Sequence, residues 1–144
     1  HFLQQLCQLG AAVEVLNANL VTFSNNTFRR NAAKKISGER VNVITDQDTL
    51  RGGAIYINNI RSAECLCKVV LKNRNLFVGN HAAIQGGAIS FRSAAFEDVD
   101  NSSVFTNNTA GIHSDAISSF AHRPRFFMMI KSHRYSTLML TGPR

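Results

Sequence analysis

Long apolar runs are missing from this sequence. The longest, Phe126 to Ile130, has five residues, whereas a membrane-spanning helix needs about 18 or more, so no transmembrane helix is expected. The opening His1-Phe2-Leu3-Gln4-Gln5-Leu6 carries no basic region followed by an apolar stretch, so no signal peptide is expected in this fragment. Cysteine is scarce. Cys7, Cys65 and Cys67 make an odd count without a CxxC pair, too few to complete a disulfide framework or a four-ligand zinc site. No metal and no cofactor are therefore expected. Cys65-Leu66-Cys67 puts both sulfurs on one side of an extended strand, where buried thiols act as small hydrophobes. Acidic residues are absent from positions 122–144, which hold five Lys/Arg, while positions 1–121 hold 11 Lys/Arg against 9 Asp/Glu. The net charge of +7 thus belongs to the tail. A nucleic-acid surface needs a basic face interleaved with stacking aromatics, and Arg123, Arg125, Lys131, Arg134 and Arg144 are scattered, so no nucleic-acid partner is expected.

What the sequence does contain is a repeat. The segment from Phe77 to Ser90 aligns without a gap on the segment from Phe105 to Ser118, at one constant offset throughout. Phe77/Phe105, Asn80/Asn108, Ala82/Ala110, Ile84/Ile112, Ala88/Ala116, Ile89/Ile117 and Ser90/Ser118 match in identity. The glycine pair of the earlier copy, Gly86-Gly87, has become Ser114-Asp115. A further copy begins at Phe28-Arg29-Arg30-Asn31 and resumes at Gly52-Gly53-Ala54-Ile55, with an added stretch between its halves. That stretch, Ser37 through Asp48, is mostly polar and reads as a loop bulging from one coil, where solenoids accept insertions.

Leu20-Val21-Thr22-Phe23, Val69-Val70-Leu71 and the weaker Val99 precede the repeat phenylalanines, and their β-branched and apolar content favours strand. Asn- and Ser-rich turns follow them. Beyond the glycines, Ile55 and Ile57 alternate with Ala54 and Tyr56, and Ile89 with Phe91 repeats the pattern. Each unit reads strand, Asn turn, short strand, Gly turn, strand. One such unit cannot bury its inward face alone, because strands of about five residues are only marginally stable. Stacked at about 4.8 Å, successive copies pair in parallel and fill a continuous core. The expected fold is all-β, a right-handed parallel β-helix fragment of about three to four coils, with Phe28, Phe77 and Phe105 piled on one another.

Two tetrapeptides carry the pattern. Phe-x-x-Asn occurs at Phe28 to Asn31, Phe77 to Asn80 and Phe105 to Asn108, with a further match at Phe23 to Asn26. The ring supplies buried area, and asparagine is expected to accept the left-handed backbone of a corner while its amide bonds to the amide stacked above. Gly52-Gly53-Ala54-Ile55 and Gly86-Gly87-Ala88-Ile89 supply small residues where the backbone turns tightly or coils approach closely. Neither glycine pair is followed by Lys-Ser/Thr, so neither is a phosphate loop.

Phe-x-x-Asn followed by Gly-Gly-Ala-Ile resembles the repeat of the chlamydial polymorphic membrane proteins, over about residues 20–119. The resemblance implies a right-handed parallel β-helix displayed outside the cell as an autotransporter passenger and acting in adhesion, at the cell surface or outer membrane. The positions it carries are Phe28, Asn31, Gly52, Gly53, Ala54, Ile55, Phe77, Asn80, Gly86, Gly87, Ala88, Ile89, Phe105 and Asn108, all with structural roles. Three departures stand against it: the interrupted first copy, the lost glycines of the last, and the lack of a following barrel segment, which would need many alternating strands of about ten residues.

The organisation expected is residues 1–19 as an N-terminal edge coil or cap, 20–121 as β-helix repeats with the insertion at about 37–50, and 122–144 as an irregular basic tail. That tail is either a cap over the last coil or an unnatural end. Some β-helix proteins act on acidic polysaccharides, so the acids bear on chemistry. Asp46 and Asp48 lie in the insertion, and Asp98 and Asp100, beside Glu97, share a strand face as a Ca²⁺ or acid/base pair would. The competing interpretation is a solvated turn, which the lack of a matching cluster on the adjacent copy favours. His81 and His113 read as loop residues. Asn25-Asn26-Thr27, Asn101-Ser102-Ser103 and Asn107-Asn108-Thr109 match the glycosylation pattern, as an Asn-rich repeat does by composition. No catalytic residue is assigned. Three functions compete: a non-enzymatic adhesion or structural module whose partner is a host-cell or matrix surface protein or glycan; a carbohydrate-active β-helix of lyase or hydrolase type; and a non-functional or partial fragment.

Overall fold

The computed structural model describes residues 6–7, 12–35, 40–41, 50–59, 67–100, 102–112 and 115–120. Among them the chain forms fourteen short strands and no helix. In chain order these are β1 (Leu6–Cys7), β2 (Val13–Leu16), β3 (Leu20–Ser24), β4 (Thr27–Arg29), β5 (Ala32–Ala33), β6 (Ile55–Asn58), β7 (Cys67–Lys72), β8 (Leu76–Val78), β9 (His81–Ala82), β10 (Ile89–Arg92), β11 (Ala94–Val99), β12 (Val104–Thr106), β13 (Thr109–Ala110) and β14 (Ile117–Phe120).

Strands this short cannot stand alone, and the chain supports each by winding. Each strand from β1 to β10 pairs in parallel with the fourth strand after it, giving four sheets ordered β1-β5-β9-β13, β14-β10-β6-β2, β11-β7-β3 and β12-β8-β4. Consecutive strands therefore lie in different sheets, and each circuit of four is one coil. Three complete coils, β1–β4, β5–β8 and β9–β12, are followed by the half-coil β13–β14. This is the parallel β-helix that the repeat predicts.

Register follows the repeat offset where the repeat is uninterrupted. Phe77 pairs with Phe105, and Ile89 with Ile117, at the same spacing of 28 residues that separates Asn80 from Asn108. From β4 to β8, Phe28 to Phe77, the spacing is 49 residues, as it is from Asn31 to Asn80. Part of the excess is the expected insertion, since the chain travels from Ala33 to Ile55 between β5 and β6 but only from Ala82 to Ile89 between β9 and β10. A second insertion is not legible in the sequence: the chain travels from Asn58 to Cys67 between β6 and β7, whereas Ser93 alone separates β10 from β11. Both insertions thus flank β6.

The core runs up the inside of the coils. Ile55, Ile57, Cys67, Val69, Leu71, Phe77, Ile89, Phe91, Ile117 and three of the alanines, Ala54, Ala88 and Ala116, form one continuous buried cluster with Phe23, Phe28, Ala94 and Phe105. The isoleucine column extends to Val13 in the first coil. In β11 the residues packed against the core, Phe96 and Val99, are three apart, a spacing that alternation would place on opposite faces. A bulge at Glu97 restores them: Phe96 pairs with Val69, and Asp98 with Val70. One extra residue bends the strand and keeps both side chains toward the core.

The basic tail, residues 122–144, lies outside the described residues, as do Asp46, Asp48, Cys65, Asn101, His113, Ser114 and most of the insertion at about 37–50.

Candidate functional site: the stacked corners and the outer faces

The repeat motifs build two kinds of corner, one after β4, β8 and β12 and one between β5 and β6 and between β9 and β10. At the first, the rings of Phe28 and Phe77 stack with centroids 5.0 Å apart and planes 10° from parallel, and those of Phe77 and Phe105 stack at 4.6 Å and 3°. The separation is that of neighbouring strands, about 4.7–4.9 Å, so the backbone sets the stack and the rings satisfy it. Phe77, between two rings, is completely buried. Each full burial contributes roughly 1.5–3 kcal/mol, with about 0.5–1.5 kcal/mol more per ring pair.

Beside the rings runs an amide ladder. Asn31 Nδ2 donates to Asn80 Oδ1 at 2.9 Å, and Asn80 Nδ2 donates to Asn108 Oδ1 at 2.8 Å. The backbone N–H groups of Asn31 and Asn80 donate to the same oxygens at 3.1 and 3.0 Å. The remaining amide hydrogens close the corner onto the preceding coil, Asn80 Nδ2 to the Phe28 carbonyl at 3.1 Å and Asn108 Nδ2 to the Phe77 carbonyl at 2.9 Å. A buried side chain must satisfy two donors and an acceptor here, which only a primary amide does.

One expectation is corrected. The left-handed residue at this corner is not the ladder asparagine but the one before it: Arg30 (φ 54°), Gly79 (φ 63°) and Asn107 (φ 51°). Reversing the chain there turns the next side chain inward, and the asparagine serves only by its amide.

The further match at Phe23 to Asn26 is a different corner of the same coil. Phe23 pairs with Leu71 in another sheet, and its ring meets Phe28 edge-on at 6.0 Å. Asn26 nonetheless begins a second ladder. Asn75 Oδ1 accepts from the Asn26 N–H at 3.1 Å, and Asn75 Nδ2 donates to the carbonyls of Phe23 and Lys72 at 3.1 and 3.0 Å. In the third coil Ser103 takes the place, its hydroxyl accepting from the Asn75 N–H at 3.3 Å. This column escapes sequence reading because Leu71 and Ser103 break the Phe-x-x-Asn pattern; the signal available is the polar turn that recurs before Leu76 and Val104.

The glycine pair divides two tasks. Gly52 and Gly86 hold φ of 63° and 68°, which glycine adopts without steric cost. Gly53 and Gly87 give way to the next coil: a Cβ on Gly53 would lie 2.1 Å from the Gly87 carbonyl oxygen, and one on Gly87 2.1 Å from that of Asp115. In the last copy Asp115 stands at the second glycine's position, its carboxylate accepting from the Ala110 N–H at 3.0 Å. After each pair, the carbonyls of Ala54, Ala88 and Ala116 each accept two N–H groups of the preceding coil, and Ser90 and Ser118 share a buried hydroxyl bond of 2.8 Å. Before each pair, Leu50, Ile84 and Ile112 form a column linked by Ile84 N–H to Leu50 carbonyl and Ile112 N–H to Ile84 carbonyl.

Among the described residues, the acids and histidine that could carry chemistry are not assembled into a reactive group. Asp98 lies 3.9 Å from Lys72, and Glu97 2.7 Å from Lys68, both exposed pairs bridging coils. Asp100 accepts from the Ser102 hydroxyl at 2.7 Å and the Asn73 N–H at 2.6 Å. Those bonds, the Ser102 hydroxyl foremost, hold its carboxyl below the usual range, so it is a turn-capping carboxylate, not a poised acid. Among the described residues no group of three or more His, Cys, Asp or Glu is placed to hold a metal. Cys67 is fully buried opposite Ala94, and burial pushes its thiol up, as suits a small hydrophobe. His81, expected in a loop, lies in β9, its Nδ1 3.0 Å from the Thr109 hydroxyl. Of the glycosylation-pattern residues, Asn25 and Asn107 are exposed left-handed corner residues directly preceding ladder asparagines.

No curated protein and no solved structure matches the chain. Residues 76–92, which run from β8 through the amide ladder and the glycine pair to β10, match the family model described as the Chlamydia polymorphic membrane protein (Chlamydia_PMP) repeat. The stretch in which Phe77, Asn80, Gly86, Gly87, Ala88 and Ile89 come together is therefore the one that matches the Chlamydia polymorphic membrane protein repeat, and it is wound here into a parallel β-helix.

Proposed function

We propose that this chain is a non-enzymatic adhesion or structural module, displayed at a cell surface or outer membrane, that binds a partner through its sheet faces and corners. The observation that carries this is the family match at residues 76–92, whose defining side chains are spent on the interior. Phe77, Asn80, Gly86, Gly87, Ala88 and Ile89 are all buried, so they build the coil and leave recognition to outward positions that the repeat does not fix. Those positions include the Lys68–Glu97 and Lys72–Asp98 pairs on the β3-β7-β11 sheet and the exposed Leu16, Leu20 and Val104. Binding by an array of rigid coils needs no moving part, because parallel stacking fixes the spacing of outward side chains. Purified protein with β-type circular dichroism should bind host-cell or matrix surfaces saturably; an intact fold with no binding to any such surface would end the proposal.

A further inference from the structure

We infer that Asn25 and Asn107 are acceptor sites for an N-linked oligosaccharide. The inference is independent of which partner the module binds, because it rests on how two corners are built. Phe23-Ser24-Asn25-Asn26-Thr27 and Phe105-Thr106-Asn107-Asn108-Thr109 share one form: phenylalanine, a hydroxyl residue, two asparagines and threonine. Each contains Asn-x-Thr, the pattern in which a glycosylating enzyme reads a hydroxyl two places beyond the asparagine it modifies. The fold treats the five residues alike at both corners. The phenylalanine is buried and the first asparagine exposed. The second asparagine is a ladder rung, Asn26 against Asn75 and Asn108 against Asn80, and the threonine begins the next strand, β4 or β13.

The acceptor amides have no structural task. Among the described residues neither Asn25 nor Asn107 makes a side-chain hydrogen bond, whereas the rungs beside them are engaged. Transfer needs such an accessible amide. Its Nδ2 bonds to the anomeric carbon of a sugar carried on a lipid pyrophosphate, and the bond from that carbon to the pyrophosphate oxygen breaks. The lipid pyrophosphate leaves with the electron pair, and a base of the enzyme takes one Nδ2 proton. Nor does the repeat supply the pattern. It fixes the rung, but the other coils place Arg74 and Ser102 before it and Leu76 and Val104 after it where the first has Asn25 and Thr27. At the other corner they place Arg30 and Gly79 before it and Ala32 and His81 after it where the third has Asn107 and Thr109. An asparagine-rich repeat therefore accounts for the middle residue and leaves acceptor and hydroxyl together unexplained. Both acceptors are left-handed, at φ 53° and 51°, a conformation asparagine accepts, so an attached sugar requires no rearrangement of the coil. Asn25 precedes β4 in the first coil and Asn107 follows β12 in the third, which puts the two sites at diagonally opposite corners of the β4-β8-β12 sheet.

The test secretes the intact chain from a host that N-glycosylates and compares it with the same chain from a host that does not. Peptide mapping after enzymatic glycan release in heavy-oxygen water should mark Asn25 and Asn107 as labelled aspartates. Thr27→Val should abolish occupancy at Asn25 alone and Thr109→Val at Asn107 alone, while Thr27→Ser and Thr109→Ser retain it. The two forms of the unsubstituted chain should show the same β-type circular dichroism and melt alike. Unmodified Asn25 and Asn107 in the secreted chain, a glycan confined to Asn101, occupancy that survives the valine substitutions, or loss of the fold on modification would each overturn the assignment. None of these outcomes touches the binding role, which is read separately on cell and matrix surfaces.

Discussion

At the scale of single residues, the fold rests on side chains that answer two coils at once. Asn80 is the middle rung of the first ladder, accepting from Asn31 and donating to Asn108 and to the Phe28 carbonyl. Asn80→Leu, of similar size, would strand buried donors and acceptors on both neighbours at about 1–3 kcal/mol each; a loss of about 3–5 kcal/mol in urea unfolding is expected, whereas Asn26→Leu, half-exposed at the end of its ladder, should cost under about 2 kcal/mol. Gly87→Ala sets a methyl against the Asp115 and Thr109 carbonyls, and overpacking of this kind costs about 1–3 kcal/mol or more. A drop of many degrees in melting temperature is expected there, while Asp115→Ala should be far milder. His81 links stability to pH. Burial first, and the nearby Lys34 second, hold its pKa below the ordinary 6.5, so the unfolded chain binds the proton more readily. Stability should then fall as pH drops below about 6.5 and level off once the folded protein is itself protonated. Urea midpoints at about pH 7.5 and about pH 5.5 check this, and Lys34→Gln should flatten the dependence.

The strand is the next scale, and there register decides the outcome. Shifting a strand by one residue exchanges its inward and outward sets, and β11 avoids that exchange by bulging at Glu97. Deleting Glu97 should remove the bulge, leave Phe96 and Val99 facing the core, and change stability by less than about 1 kcal/mol, the worth of the exposed Lys68 pair. Deleting Val70 from β7 should instead turn Leu71 away from the core between two neighbouring strands and abolish cooperative melting. The strands before Phe28 and Phe77 are legible in the sequence through their β-branched content. The bulge is not, because Val99 on its own looks like a weak strand signal, and only its pairing with Leu71 shows the register it keeps.

Across the whole molecule, stability is a sum over coils and the contacts between them. From β8 to β14 the chain keeps one uninterrupted period, seen in the Phe77–Phe105, His81–Thr109 and Ile89–Ile117 pairings. Inserting a second copy of residues 77–104 directly after the first should therefore lengthen the ladder, the ring stack and the alanine column by one coil. The expected outcome is a retained cooperative transition at a higher melting temperature, followed by circular dichroism. A broadened or lower transition would show that the coils are not interchangeable units.

The sequence alone determined the winding, because identical residues recurring at a fixed offset gain most by lying on one another: rings on rings, amides on amides, isoleucines on isoleucines. It also identified both tetrapeptides and the insertion after the first Asn corner. Tertiary structure decided what each position is for. Which residue of a corner turns left-handed, which glycine yields to the coil above, and that Asn26 and Asn75 form a column of their own all depend on the coil one turn away. A neighbour one coil distant leaves a local mark only where the two coils use the same residue type, and Asn75 bonded to Ser103 shows how the contact persists when they do not.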